Sequence, residues 1–298
     1  MDALLYCYEE AFPQFDVGFD EEELRVLLSK EETNDVANVP LLAARNEAVS
    51  WIIRVSRRHD FACLTAVLAA NYLDRYLVRH PYLDKPWMVH LAAAACLHLA
   101  AKVEETDAPL LIDLQLDESP VLFDPTTIKK METVILTALG WRMHPVTAIS
   151  FFDCFIDAIG LNRFLSVEFL RRCEGVVLTA LADHRAARFP PSVLAPAAMV
   201  QVVKSQHESL VSEFELQLLS ILPIQKGKYD DCRQLIKELC FENKSHQLKR
   251  NFSVFSDGPL SPGGVIEISF SSDASPDSPD VAASVSVSSS PLSKRCKA

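Results

Sequence analysis

The stretch that most constrains the fold is Leu91–Ala101, which reads LAAAACLHLAA and is apolar on nearly every side. Ala and Leu are strong helix formers, and a helix without a polar face has to be surrounded by other helices or by lipid. The wider run from Trp87 to Ala101 is shorter than the roughly 20 residues of a membrane span, and it contains His90 and His98. We therefore predict a buried hub helix from about residue 86 to residue 104.

Helical patterns precede and follow the hub helix, and glycine is scarce, with 8 in 298 residues. Asp124 and Pro125 open one of these helices, since Asp is a good N-cap and Pro suits the first turn. Ser212 and Glu215 have the spacing of a capping box. Besides the hub, we predict a short acidic helix over 19–32, then helices over 41–58, 61–78, 109–115, 125–140, 147–159, 165–182, 191–206, 212–221 and 228–241. The prediction is an all-α fold of two stacked five-helix domains.

The predicted division of the chain is an arm over 1–18, a first domain over 19–140, a second over 141–243 and a tail over 244–298. Residues 251–293 contain 14 Ser, five acidic residues and no Lys or Arg. Such a segment cannot bury enough apolar surface to fold, so we expect a disordered tail. Proline-directed kinases favour Ser-Pro pairs, so the candidate phosphorylation sites are Ser261, Ser275, Ser278 and Ser290. The alternative is an inert linker.

Charge and cysteine usage disfavour several classes of partner and site. The net charge of −11 disfavours a nucleic-acid partner, because an acidic surface repels phosphates. None of the 8 cysteines forms a Cys-x-x-Cys pair, and we expect scattered thiols rather than disulfides or a metal site. The first residues lack a basic region followed by an apolar run, so no secretory signal is expected. No membrane association is predicted either.

The sequence carries no recognisable catalytic motif. Phosphate-binding glycine loops, the Gly-x-Ser-x-Gly elbow and His-Glu-x-x-His are all missing from the chain. Glu104 and Glu105 have the chemistry of an acid–base pair, but adjacent helical residues diverge by about 100° and do not converge on one atom. His90 and His98 are interpreted as ordinary buried histidines. We therefore predict no catalytic residue and no cofactor, and we expect the function to lie in the surfaces of the protein.

Leu5, Cys7 and Glu9 form a Leu-x-Cys-x-Glu motif near the start of the chain. In an extended peptide these three side chains point to one side, while Tyr6 and Tyr8 point to the other. A branched apolar group, a small thiol and a carboxylate suit three pockets of a peptide-binding groove. The alternative is a terminus without a partner.

Four ordered segments resemble the cyclin box. They are Arg45 to Trp51 (RNEAVSW), Tyr72 to Leu77 (YLDRYL), Leu97 to Glu105 (LHLAAKVEE) and Met131 to Leu136 (METVIL). Two further segments, DKPWM from Asp84 and MHPVT from Met143, resemble plant D-type cyclins. The resemblance covers about residues 20–242 and is weaker in the second half.

The resemblance implies roles for the matching residues. Lys102 would donate to kinase backbone carbonyls at the end of the hub helix, and Glu132 would accept from kinase backbone amides. Glu104 and Glu105 would lie in the same kinase-binding region. The structural cyclin-box residues would be Arg45, Trp51, Asp74 and Leu91, with Arg45 and Asp74 as an internal ion pair. The alternative for Lys102 and Glu132 is that both are solvated residues at helix ends.

The function implied by the resemblance is a non-catalytic subunit that activates a cyclin-dependent kinase at entry into the division cycle (G1/S). D-type cyclins use a Leu-x-Cys-x-Glu motif to bind retinoblastoma-type proteins, so such a protein is an expected partner, with kinase-inhibitor proteins as further partners. Nuclear location is expected from the family and from KRCK at 294–297, with the cytoplasm as a second compartment. Glu47 and Ser50 depart from the substrate-docking patch of many cyclins, so a strong docking groove beside Trp51 is not expected.

The sequence leaves two other interpretations open. One is a transcription-initiation factor with the same double helical fold, which should carry a basic DNA-facing surface and usually a zinc ribbon. The other is a cyclin-fold scaffold that no longer activates a kinase, against which the presence of both Lys102 and Glu132 argues.

Overall fold

A computed structural model describes residues 21–33, 36–37, 39, 41–81, 83, 85–107, 122–159, 163–206, 208–222 and 225–256. In these ranges the chain forms ten α-helices and no strand. They are α1 (Glu21–Lys30), α2 (Leu42–Arg58), α3 (Cys63–Arg79), α4 (Pro86–Glu104), α5 (Pro125–Ala138), α6 (Phe152–Ile159), α7 (Arg163–Leu181), α8 (Pro191–Gln206), α9 (Val211–Ile221) and α10 (Lys226–Ser256). The described residues up to Ser253 belong to one compact unit.

The first helical domain is built around α4. Every residue from Val89 to Ala101 is buried, and α4 packs against α2, α3 and α5. By length and composition α4 could cross a membrane, and no second helix in the described ranges could, but 72% of its apolar stretch is buried inside the protein. The predicted hub helix is therefore confirmed. Its small Ala side chains let the three neighbouring helices approach it closely.

In the second domain α8 has the corresponding central position. Every residue from Ser192 to Val200 is buried, and α8 packs against α7 and α9. Pro196 lies in its second turn and is buried. Each domain thus has one apolar helix enclosed by its neighbours, as a fold without sheets requires.

Local capping predictions had mixed outcomes. Asp124 is the N-cap of α5 and accepts a hydrogen bond from the Thr126 amide at 3.0 Å, as predicted. The capping box of Ser212 and Glu215 is wrong, because α9 already begins at Val211 and Leu210 is its N-cap. Glu215 instead accepts a hydrogen bond from Arg233 Nη1 of α10 at 2.6 Å.

Some predicted segments differ in extent or lie outside the described residues. Helix α10 continues to Ser256, beyond the predicted helix end at 241 and beyond the predicted start of the tail at 244. The predicted helix over 109–115 falls outside the described ranges. Lys85, which directly precedes α4, makes no side-chain capping hydrogen bond.

Polar contacts join the two helical domains. Arg45 Nη1 on α2 donates to the Leu181 carbonyl at the end of α7 at 2.8 Å, and the His184 amide donates to Asn46 Oδ1 at 2.9 Å. Glu31 accepts from both the amide and the hydroxyl of Ser192 at the start of α8, at 3.1 and 3.0 Å. The start of the first domain is therefore fixed to the second by hydrogen bonds as well as by apolar packing.

Candidate functional site

The two charged residues singled out by the sequence, Lys102 and Glu132, lie in contact. Lys102 is in the last turn of α4 and Glu132 is on α5, and Lys102 Nζ lies 2.8 Å from Glu132 Oε2. The Lys102 side chain is 43% exposed, whereas that of Glu132 is only 9% exposed. The pair thus has a buried acceptor and a partly exposed donor at the edge of the core.

The alternative of two solvated helix ends is wrong for Glu132, which is buried in the middle of α5. Burial by itself raises the pKa of the Glu132 carboxyl. Hydrogen bonds from His98 and Lys102, together with the electrostatic attraction of these two groups for the carboxylate, lower the pKa by more, so that it lies below its usual value. The carboxylate is therefore ionised at neutral pH, although water hardly reaches it.

His98 is the third member of this cluster, and sequence reasoning missed its part in the site. The ring is buried, and its Nδ1 is hydrogen-bonded to Glu132 Oε1. His98 and Lys102 are four residues apart, so they lie on one face of α4 and each bonds a different oxygen of Glu132. The available signal was this i, i+4 spacing, but the position of Glu132 relative to α4 was needed to interpret it.

Glu104 and Glu105, the other predicted kinase-binding residues, differ from each other. Glu104 is exposed at the end of α4. Glu105 is half-buried and accepts hydrogen bonds from the Ala62 amide at 2.9 Å and from the Thr65 hydroxyl. Ala62 precedes α3 and has no capping side chain of its own, so Glu105, the residue directly after α4, supplies the cap. This fixes the end of α4, and hence Lys102, against the start of α3.

Arg45 and Asp74 form a buried ion pair between α2 and α3. Arg45 Nε and Nη2 donate to the two carboxylate oxygens of Asp74 at 2.8 and 2.7 Å, and the side chains are 0% and 4% exposed. Trp51 and Leu91 are buried in the same hydrophobic core. All four predicted structural residues therefore lie inside the first domain.

Two neighbours of Asp74 hold the segment that follows α5. The Tyr72 hydroxyl donates to the Met143 carbonyl, and Arg75 Nη1 donates to the Arg142 carbonyl at 2.8 Å. The Tyr-Leu-Asp-Arg segment thus fixes both α2, through Asp74, and the chain leaving α5. It positions the helix that carries Glu132.

The face of α2 near Trp51 offers little apolar surface. Ala44 and Ala48 are buried with Trp51, whereas the Glu47 side chain is 63% exposed and lies 3.8 Å from His90 Nε2. A charged side chain thus stands where a docking patch would need an apolar one.

Family models match nearly all of the described chain. The model described as "Cyclin, N-terminal domain" matches residues 19–144, and the one described as "Cyclin, C-terminal domain" matches residues 146–259. The chain belongs to the cyclin family. Cyclins are regulatory subunits of protein kinases and are not themselves catalytic.

Curated relatives place this cyclin among the plant D-type cyclins. It is 39% identical over 297 residues to Cyclin-D3-3 of Arabidopsis thaliana, covering 96% of this chain and 81% of the relative. It is 34% identical over 261 residues to Cyclin-D3-2 of rice (Oryza sativa subsp. japonica), covering 80% and 68%. The resemblance to plant D-type cyclins is therefore confirmed.

A solved structure supports the fold. The X-ray structure of a viral cyclin from herpesvirus saimiri superposes with a TM-score of 0.61 at 16% identity, covering 73% of this chain and 96% of that one. Together with the two family models, this confirms an all-α fold with two cyclin-fold domains.

Several predicted sites of the cyclin lie outside the described residues. These are Leu5, Cys7 and Glu9 of the arm, and Ser261, Ser275, Ser278 and Ser290 of the tail. In the described ranges, no group of three or more His, Cys, Asp or Glu could hold a metal ion. None of the six cysteines found there forms a disulfide, and burial raises the pKa of Cys63 to about 12.

Proposed function

We propose that this cyclin binds and activates a cyclin-dependent Ser/Thr kinase, and that the Lys102–Glu132 pair is central to the docking surface. The observation that carries the proposal is the pair itself. Two residues that match the family's kinase-binding positions are 30 apart in sequence, yet they meet at 2.8 Å beside an exposed helix end.

The chemistry of the pair suits recognition of the ends of a kinase helix. Lys102 has three N–H donors and a carboxylate has about four acceptor positions, so each keeps bonding capacity after they bond each other. Charge-assisted bonds to backbone groups are stronger than neutral ones. Docking of the mobile kinase helix would bring its Glu to the ATP-site Lys and complete the catalytic constellation.

Charge reversal tests this docking surface. Lys102→Glu and Glu132→Lys should each abolish activation of a co-purified cyclin-dependent kinase on a generic peptide substrate. Lys226→Glu, at an exposed position at the start of α10, is the matched control and should retain full activity. Circular dichroism should show the same helix content in all variants. Wild-type activation by folded Lys102→Glu would refute the proposed docking surface.

We further propose that the arm recruits a retinoblastoma-type protein through Leu5, Cys7 and Glu9. The support is the one-sided spacing of these residues in an extended peptide and the D-type relatives. A peptide of residues 1–15 should compete with the full chain for such a protein, with modest affinity because the peptide has to become ordered. Equal binding by the wild type and a Cys7→Arg/Glu9→Lys double variant would show that the motif is accidental.

In this proposal the cyclin acts in the nucleus, with the cytoplasm as a second compartment, and promotes the G1/S transition, with kinase-inhibitor proteins as further partners. The support is family membership, together with the basic residues at 294–297 for the nuclear location. A fluorescent fusion compared with a variant carrying Lys294→Ala, Arg295→Ala and Lys297→Ala tests the location. Equal nuclear signal would remove these residues from the explanation.

A further inference from the structure

His98 is buried, and the proposed docking chemistry of Lys102 and Glu132 does not explain why a histidine occupies this position. It lies on the hub helix, where nearly every neighbour is Ala, Leu or Cys. A polar ring in such surroundings needs a hydrogen-bond partner, because burying a polar group without one is unfavourable. Its partner is Glu132 Oε1.

The direction of this hydrogen bond follows from the chemistry of the two groups. The lowered pKa of Glu132 means that its carboxylate is ionised and can only accept. His98 Nδ1 therefore carries the proton, in either the neutral or the charged ring. The imidazole donates to Oε1 from the core side, while Lys102 Nζ donates to Oε2 at 2.8 Å.

Two donors on adjacent turns of one helix restrict the carboxylate more than one donor does. Lys102 alone is a long, partly exposed side chain that can bond Glu132 in several rotamers. The His98 ring has only two side-chain torsions and is packed in the core, so its N–H is a fixed reference for Oε1. With one oxygen bonded to His98 and the other to Lys102, the plane of the carboxylate is fixed, and so are the directions of its unused acceptor positions.

We propose that His98 is a positioning residue that orients the Glu132 carboxylate for the kinase. This inference rests on the proposed function and deepens it by adding the residue that fixes the docking acceptor before the partner arrives. Preorganisation of this kind strengthens binding because less motion is lost on association. His98 itself is buried and does not have to touch the partner.

The test compares three variants of the full chain by their Kd for a purified cyclin-dependent kinase. His98→Leu removes the donor and should raise Kd by about tenfold, the scale of one charge-assisted hydrogen bond. His98→Asn restores an N–H at about the distance of Nδ1 from the backbone, and should bring Kd back to within about threefold of the wild type. His90→Leu is the matched control, because His90 is equally buried on the same helix but lies beside Glu47; its Kd should be unchanged.

The outcomes separate orientation from simple packing. Weakening by His98→Leu with recovery in His98→Asn supports the positioning role. Equal weakening in both variants, or none in His98→Leu, overturns it. A second measurement avoids dependence on the folding of variants: imidazole ¹⁵N NMR of the wild type should show a protonated Nδ1 at neutral pH, and a bare Nδ1 would refute the hydrogen bond.

Failure of this inference can be told apart from failure of the docking surface itself. If Lys102→Glu weakens kinase binding while His98→Leu does not, the positioning role falls and the proposed function stands. If Lys102→Glu binds like the wild type, the docking pair falls, and the role of His98 in it falls too.

Discussion

Removing one partner of the Arg45–Asp74 pair should be among the most damaging single changes in the first domain. Arg45 is fully buried, and its guanidinium makes two hydrogen bonds to Asp74 and one to the Leu181 carbonyl, all between 2.7 and 2.8 Å. Asp74→Ala leaves a buried cation without its anion, for which a loss of about 3–5 kcal/mol in the free energy of unfolding is expected. That is a large share of the roughly 5–15 kcal/mol typical of a whole protein.

The replacement of both partners should be much less harmful than the sum of the single changes. Arg45→Met/Asp74→Leu removes both charges and keeps apolar volume, and such exchanges are often close to neutral. Here the Leu181 carbonyl also loses its donor, so we expect a remaining loss of about 1–3 kcal/mol. Because that carbonyl belongs to the second domain, unfolding of the double variant should also be less cooperative between the two domains.

The measurement is urea unfolding followed by circular dichroism, and the single variants Arg45→Met and Asp74→Leu complete a double-mutant cycle with the double variant. Arg25→Ala is the matched control, since Arg25 pairs with Glu21 at 2.9 Å while the two side chains are 65% and 70% exposed. An exposed ion pair four residues apart on one helix should contribute only about 0.3–0.5 kcal/mol to the free energy of unfolding. If Asp74→Ala were as mild as Arg25→Ala, or if the Arg45 and Asp74 effects were additive, the reasoning from burial would be refuted.

Three further predictions follow from other contacts. Glu105→Ala should lower the free energy of unfolding by about 1 kcal/mol, because α3 loses the cap at Ala62 and Thr65. Glu104→Ala, at the exposed neighbouring position, is the control and should change stability little. Equal effects of the two variants in urea melts would contradict the capping role. The lowered pKa of Glu132 means that its ionised form stabilises the fold above its unfolded pKa, and this stabilisation is lost as pH falls through the folded pKa. Glu132→Gln should therefore lose less stability than the wild type between about pH 7 and about pH 3 in parallel urea melts, and identical pH profiles would show that the carboxylate is not stabilised. Deleting residues 257–298 should leave kinase binding intact and lengthen the lifetime of the protein in cells, since the segment is rich in Ser, Pro and acidic residues; an unchanged half-life in a chase experiment would rule out a role in turnover.

The parts of this fold that could be predicted from sequence are those that local composition decides. An Ala- and Leu-rich run with no polar face can only be an enclosed helix, and α4 is one. Asp124 caps α5 because its partner, the Thr126 amide, is two residues away. The position of Glu132 inside α5 could also have been derived, because Pro125 and Gly140 bracket the helix and put residue 132 near its middle.

The contacts that escaped prediction join residues far apart in sequence. Glu105 caps α3 across 43 and 40 residues, and His98 reaches Glu132 across 34. Whether such side chains meet depends on how α4 is rotated and shifted against α3 and α5, and periodicity does not specify this. The partner of Glu215 is likewise distant: its carboxylate bonds Arg233 of α10, 18 residues away, whereas the capping box assumed an amide at the start of its own helix.

Polar residues on the hub helix α4 need partners from neighbouring helices. On an amphipathic helix a His or Lys can face water and need no partner, but α4 has almost no face open to water. His90 lies beside Glu47 of α2, and His98 and Lys102 both bond Glu132 of α5. All three therefore meet an acid from another helix. Lys102 differs because it lies where the helix leaves the core. Its ammonium group bonds the buried Glu132 carboxylate, while its side chain remains partly exposed to water. The proposed docking pair is stiff, because the core that encloses α4 also holds Glu132 in place.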